Sequence, residues 1–181
     1  MSIDTRTILS EDRVYRYALW RCWGNPDEDG YLAFIGLNPS TADEHADDPT
    51  IRRCIGFAKR EGVGALCMLN LFAFRATEPK AMRASHDPVG ADTDAHLARC
   101  LALAKYIVLA WGTHGGFLSR DLTVIRLIRS LNRYNVVSLG LTKDGHPKHP
   151  LYIRSDQPLE PFPPPYREAQ ANADANRPPR A

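Results

Sequence analysis

The sequence predicts an α/β domain built on a largely parallel, doubly wound sheet with helices on both faces. Short apolar runs recur at residues 31–35, 65–69, 106–110 and 135–139, each the length of a buried strand. Stretches with apolar residues at helical spacing lie between them. Each run closes within two residues on Gly or Asn, and carboxyl strand ends are where such sheets bind ligands.

Along the chain, residues 1–12 are polar and are expected to be loose. Residues 13–23, RVYRYALWRCW, alternate Val14, Arg16, Ala18, Trp20 and Cys22 with Arg13, Tyr15, Tyr17, Leu19 and Arg21. This period of two, rich in aromatics, predicts an antiparallel edge strand. Turn residues fill 24–30, and the stretch 31–48, YLAFIGLNPSTADEHADD, then organises the rest. Its apolar run ends at Gly36, and Leu37-Asn38-Pro39-Ser40 forms a tight loop where the fold places its chemistry.

Asp48 as N-cap and Pro49 at the first helical position predict a helix to about Glu61, with Ile51, Cys54, Ile55 and Ala58 on its apolar stripe. Gly62 and Gly64 end it, and the strand 65–69 runs to Asn70. Residues 78–85 hold a short helix at most. A longer helix is expected over 89–104, with Leu97, Leu101 and Ala104 on one face. The strand 106–110 closes on Trp111-Gly112-Thr113-His114. The helix expected over 119–131 turns Leu122, Ile125, Leu127 and Ile128 inward and Arg120, Arg126, Arg129 and Arg133 outward. A fourth strand, 135–139, leads into the polar loop 140–152, GLTKDGHPKHPLY, with two His-Pro pairs.

Composition bounds the class. With 44% hydrophobic and 24% charged residues the chain is an ordinary globular protein. No apolar run approaches the ~20 residues of a membrane span, so no membrane association and a cytosolic monomer are expected. The four cysteines form no C-x-x-C pair, which favours reduced, buried thiols over zinc or iron–sulfur ligation. A net charge of +2 permits a nucleic-acid partner without arguing for one. Residues 13–156 read as a single α/β domain, and 157–181, rich in Pro, Ala and Asn, as a disordered tail.

Four strand ends carry polar residues in a set order: Gly36-Leu37-Asn38-Pro39-Ser40, Leu69-Asn70, Trp111-Gly112, and the loop His146-Pro147-Lys148-His149-Pro150-Leu151. This order resembles the uracil-DNA glycosylase superfamily over residues 31–152. The longer wording, NPSTADEHADDPTIRRC with NLFAFRAT and GLTKDGHPKHPLY, is similar to the bacterial domain-of-unknown-function family 1643. The first resemblance implies a three-layer α/β sandwich with a mostly parallel central sheet, a DNA partner, single- or double-stranded, and hydrolysis of an N-glycosidic bond without a cofactor or metal. Two rivals stand beside it: a non-catalytic nucleic-acid or nucleobase-binding module, and a hydrolase of small nucleosides or nucleotides.

Carried over residue by residue, the resemblance gives Asn38 the orienting of a water and Pro39 the stiffening of its loop. Gly36, Leu37 and Ser40 border the base. Asn70 reads the base edge, because an amide offers both donor and acceptor. His146 or His149 stabilises charge on the departing base, and the doubled His-Pro pair leaves the choice open. Ser40 departs from the Tyr of the classical uracil enzymes, so a substituted base has room. Phe57 or Phe72 either stacks on a base or belongs to the core. Leu151 with Tyr152 is placed to wedge into a duplex, with Lys143 and Lys148 on phosphates. The cluster Asp43, Glu44, His45, Asp47 and Asp48 holds metal-ligand chemistry, although capping and a solvated loop explain it at less cost.

Overall fold

Seven strands form one sheet in the order β1-β2-β4-β3-β5-β6-β7 in a computed structural model that describes residues 4–163. The central four are β4 (Ala65–Asn70), β3 (Tyr31–Gly36), β5 (Tyr106–Leu109) and β6 (Val136–Ser138), all mutually parallel. Antiparallel strands flank them: β2 (Arg16–Cys22) on β4, β1 (Asp4–Leu9) on β2, and β7 (Glu160–Pro161) on β6. The sheet is therefore mixed, with as many antiparallel as parallel pairings, and not mostly parallel as the apolar runs suggested. Those runs mark only the strands buried on both faces. The flanking strands are polar enough to escape that signal.

Helices cover both faces. Helix α1 (Pro49–Arg60) buries Ile51, Cys54, Phe57 and Ala58 against Leu32, Phe34, Leu66 and Met68. On the other face α3 (Thr93–Ala102) and α4 (Arg120–Ser130) bury Leu97, Leu101, Val124 and Ile128 against Ala33, Ile35, Cys67 and Leu69. The start of α1 is as expected: the Asp48 carboxylate accepts from the Ile51 amide at 2.8 Å, and Pro49 follows. A short α2 spans Pro79–Arg83. Helix α3 starts four residues later than the acidic-then-proline signal suggested. Asp87 caps the amides of Val89 and Gly90 in a turn of its own, and Gly90 sits at φ +81.

Arginines account for the main errors of inside against outside. Arg120, expected to face out, is buried; its Nε donates to the Leu71 carbonyl at 2.8 Å and it pairs with Asp94. Arg16 and Arg21 are buried on β2, and β2 is not an edge, because β1 covers it. The opening residues, expected to be loose, supply that cover. A register shift between Ile8 and Leu9 leaves Tyr17 unpaired across β1. Such a bulge re-phases the strand, so Arg16 and Arg21, assigned to opposite sides by strict alternation, reach the same loop.

The four cysteines are free thiols, three of them buried. Among the described residues no helix is long and apolar enough to cross a membrane. The expected tail begins inside ordered structure. Arg60 donates to the carbonyls of Ser155 and Gln157, β7 follows, and Phe162 packs on the core with its amide on Val136 at 3.0 Å. The rest of that tail, 164–181, lies outside the described residues.

Truncation after residue 156 should therefore lower stability. Losing a half-buried Phe and a strand's hydrogen bonds costs about 2 kcal/mol. For a chain of this size that is a fall in melting temperature of roughly 4–8 °C. Thermal unfolding of the truncated protein that matches the full chain would show that β7 contributes nothing.

Candidate functional site

The carboxyl ends of β3, β4 and β5 open into a cleft of about 800 Å³. Its floor and walls include Gly36, Leu37, Asn38, Ser40, Asn70 and Trp111. Its mouth is edged by His149, Leu151 and Tyr152. The backbone explains the convergence. Beyond the strands, the amides of Leu71 and Phe72 continue the pairing to the carbonyls of Gly36 and Leu37 at 2.9 and 3.0 Å. Ala76 then donates to Pro39 at 2.9 Å. The loop after β3 is thus held along its length by the loop after β4.

Asn38 lines the cleft with its amide fixed. Nδ2 donates to the carbonyls of Pro39 at 3.0 Å and Ala76 at 2.7 Å. Both partners are acceptors, so the flipped amide would set oxygen against oxygen. With both hydrogens committed, what Asn38 offers a ligand is its carbonyl oxygen, an acceptor.

Asn70 is the complement. It is 4% exposed, and its Oδ1 accepts from Nη2 of Arg16 at 3.3 Å. An arginine only donates, so the Asn70 orientation is also set, and its Nδ2 is left as donor. The space for that amide comes from Gly36, its register partner on β3. A Cβ on Gly36 would stand 2.9 Å from Asn70 Nδ2 and 2.7 Å from the Met68 methyl.

Two histidines competed for one role, and the structure brings one of them to the cleft. Residues 140–147 fold back on themselves. Thr142 donates to the His146 carbonyl at 2.8 Å, and the His146 amide donates to Thr142 Oγ1 at 3.1 Å. His146 does not line the cleft and Lys143 sits at the exposed tip of this turn. Lys148 and His149 do line it, tied down where the Gly112 amide meets Pro147 at 3.0 Å. His149 caps the short 3-10 helix Pro150–Tyr152 by accepting the Leu151 amide on Nδ1 at 3.3 Å. The neutral ring therefore carries its proton on Nε2. Burial pushes the His149 pKa down, against a weaker pull from Asp48. Leu151 and Tyr152, 40% and 83% exposed, stand at the rim.

The two phenylalanines do not reach the cleft. Phe57 is a buried residue of α1 itself with the guanidiniums of Arg53 and Arg60 over its ring, and Phe72 packs in the opposite core against Phe117. Pro39 is buried behind the lining rather than on it. The acidic cluster is an arginine-held loop. Arg21 pairs with Asp47 at 2.8 Å and donates to the Asp43 carbonyl, Arg52 donates to the Asp47 carbonyl, and Arg13 pairs with Glu44 at 2.9 Å. The Arg13 hydrogen bond holds the Glu44 carboxyl down to about 2. Among the described residues no three His, Cys, Asp or Glu side chains gather as a metal-ligand set.

Sequence reading missed Arg16. It lines the cleft, is 2% exposed, and donates to Ala42 at 2.8 Å as well as to Asn70. No alternation marks it, because the bulge at Tyr17 takes Arg16 out of the row of Ala18, Trp20 and Cys22.

The sequence pattern of a family described as a protein of unknown function, DUF1643, matches residues 16–151. The chain belongs to that family. The match spans β2 through the 3-10 helix that edges the cleft. Comparison with curated proteins and with solved structures gave no match.

Two measurements check the site's construction. Gly36→Ala should force the Asn70 amide or the Met68 methyl aside at a cost of about 1–3 kcal/mol, read by urea unfolding; an unchanged midpoint would mean that the gap is not needed. The second concerns pH. His149 has a folded pKa below the ordinary 6.5, so the unfolded chain takes the proton more readily. Stability is then present above about 6.5 and is lost as the pH falls through that value toward the folded pKa. His149→Asn keeps a capping acceptor and removes the titration. Unfolding midpoints between pH 7 and 5 should fall less steeply in the variant, and parallel slopes would count against a half-buried neutral His149.

Proposed function

We propose that the cleft is the base pocket of a DNA glycosylase-like hydrolase. In this reading a nucleotide is turned out of the strand and its base, natural or modified, enters between the loops after β3, β4 and β5. The observation that carries the reading is the fixed pair of amides at the cleft floor. One has only an oxygen to offer, and the other has its Nδ2 hydrogens, since Arg16 already occupies its oxygen.

Each group has a part in the step. The Asn38 oxygen accepts a hydrogen bond from water and turns the water's lone pair toward the sugar's anomeric carbon. The carbon–oxygen bond forms as the carbon–nitrogen bond breaks. The base leaves with the electron pair and takes up a proton equivalent to the one the water loses. Asn70 Nδ2 donates to an acceptor on the base edge. His149, proton on Nε2, donates toward the oxygen on which charge develops. Ser40, small and on the cleft wall, leaves room for a substituted base. Leu151 and Tyr152 meet the strand at the rim, Lys148 beside them and Lys143 on the neighbouring turn serve the phosphates, and the fold is that of the uracil-DNA glycosylases in this reading.

The test measures base release and nucleic-acid affinity together, using oligonucleotides with natural and modified bases and alkali to reveal abasic sites. Asn38→Ala should lower base release about a hundredfold, on the order of 3 kcal/mol in the barrier, with affinity nearly unchanged. Release that survives the substitution within a few-fold would remove Asn38 from the mechanism. No release by the unaltered protein on any base, with binding retained, would identify a binding module.

A further inference from the structure

Among the described residues three arginines are buried, and they differ in one respect. Arg21 has Asp47 at 2.8 Å, and Arg120 pairs with Asp94. Arg16, among the described residues, has no carboxylate within ion-pair distance. Its two hydrogen bonds go to a carbonyl and an amide oxygen, both neutral, and its Nε is sealed from solvent without an acceptor. The acidic groups that act on it do so from beyond contact: Asp48, which also lines the cleft, favours its charge at a distance while Oδ1 accepts from Ile51, and Asp43 contributes less while its Oδ1 accepts from His45 and Ala46. Burial lowers the Arg16 pKa to about 10, which leaves the guanidinium charged near neutrality. Of the three, Arg16 alone lines the cleft.

A buried cation without a counter-ion is costly unless something compensates it. In the low dielectric around a buried side chain the same charge acts strongly on whatever reaches it. We propose that the floor of the cleft is an anion subsite, in which Arg16 is completed by a delocalised oxyanion of the ligand while Asn70 Nδ2 and Lys148 donate beside it. Two ligand groups carry that chemistry: a phosphate, and the ionised edge of an acidic base. The subsite stands on the geometry of Arg16 and does not require the base-release reading, although an ionised base would join the two.

The experiment titrates three probes into the full chain, followed by amide NMR shifts at Gly36, Asn38 and Asn70: inorganic phosphate, 5-nitrouracil, which is an anion at neutral pH, and uracil, which is neutral there. At least one of the two anions should bind at these positions, with 5-nitrouracil at least tenfold tighter than uracil if the base is the source. Two variants remove the uncompensated charge by different routes. Arg16→Met deletes it. Asn70→Asp supplies the missing carboxylate where Oδ1 now meets Arg16, and this variant should fold at least as stably as the parent, which keeps the test open if Arg16→Met does not fold. Both should weaken anion binding tenfold or more. Phosphate binding that depends on Arg16, without binding of either base, would establish the subsite and sink the base pocket. Equal binding of 5-nitrouracil and uracil, weakened alike or not at all by both variants, would overturn the subsite and leave the base pocket standing. No anion binding at the cleft, or binding indifferent to both substitutions, would also overturn it.

Discussion

The arginines that β2 sends under the loop after β3 hold the functional end of this fold in place. Arg16 takes the Ala42 carbonyl, and Arg21 takes the Asp43 carbonyl and the Asp47 carboxylate. A guanidinium presents several donors in a fixed plane, so one side chain can fix several points of irregular backbone. That loop has no helix or strand of its own between Gly36 and Pro49. Without the two side chains its carbonyls would lack buried donors, and the cap at Asp48 that starts α1 would lose its frame.

The second constraint is the register of β3 against β4. Pairing Gly36 with Asn70 sets the one residue without a side chain beside the one buried amide of the strand end. A slip of β4 by one residue would turn its side chains to the opposite faces, taking Asn70 away from Gly36 and into an apolar layer. The apolar runs of the two strands forbid this, since both of their faces are packed. Core packing and site geometry are the same restraint here, read at two points of one ladder.

Much of this was legible in the sequence, for physical reasons that also mark where legibility stops. The four central strands announced themselves because both faces are buried. The start of α1 did so because Asp-Pro chemistry is local. Gly36, Asn38, Asn70 and Trp111 could be grouped because parallel strands deliver their carboxyl ends to one side of a sheet. Of the flanking strands, β2 showed in its alternation, while the two outer ones were hidden: β1 opens on polar residues, and β7 is two residues long and contains a proline. Arg16 was hidden by a bulge, since a single extra residue changes which side of a strand a side chain takes and leaves no trace in composition. The choice between His146 and His149 depended on a tight turn held by Thr142. Phe57 and Phe72 were ambiguous because an aromatic ring has the same composition in a core as on a binding wall.

The flanking strands carry a further consequence. A sheet is vulnerable at its two borders, where unpaired backbone groups invite another molecule's strand. Here the parallel centre, rich in Val, Ile and Leu, never forms a border. One margin is β1, whose outer residues Asp4, Thr5 and Arg6 are exposed and polar. The other is the two-residue β7, where Pro161 has no amide hydrogen to lend. The antiparallel additions that make the sheet mixed thus also shield its most aggregation-prone segments, and they let an open cleft sit at the ends of sticky strands in a chain that carries a net charge of only +2.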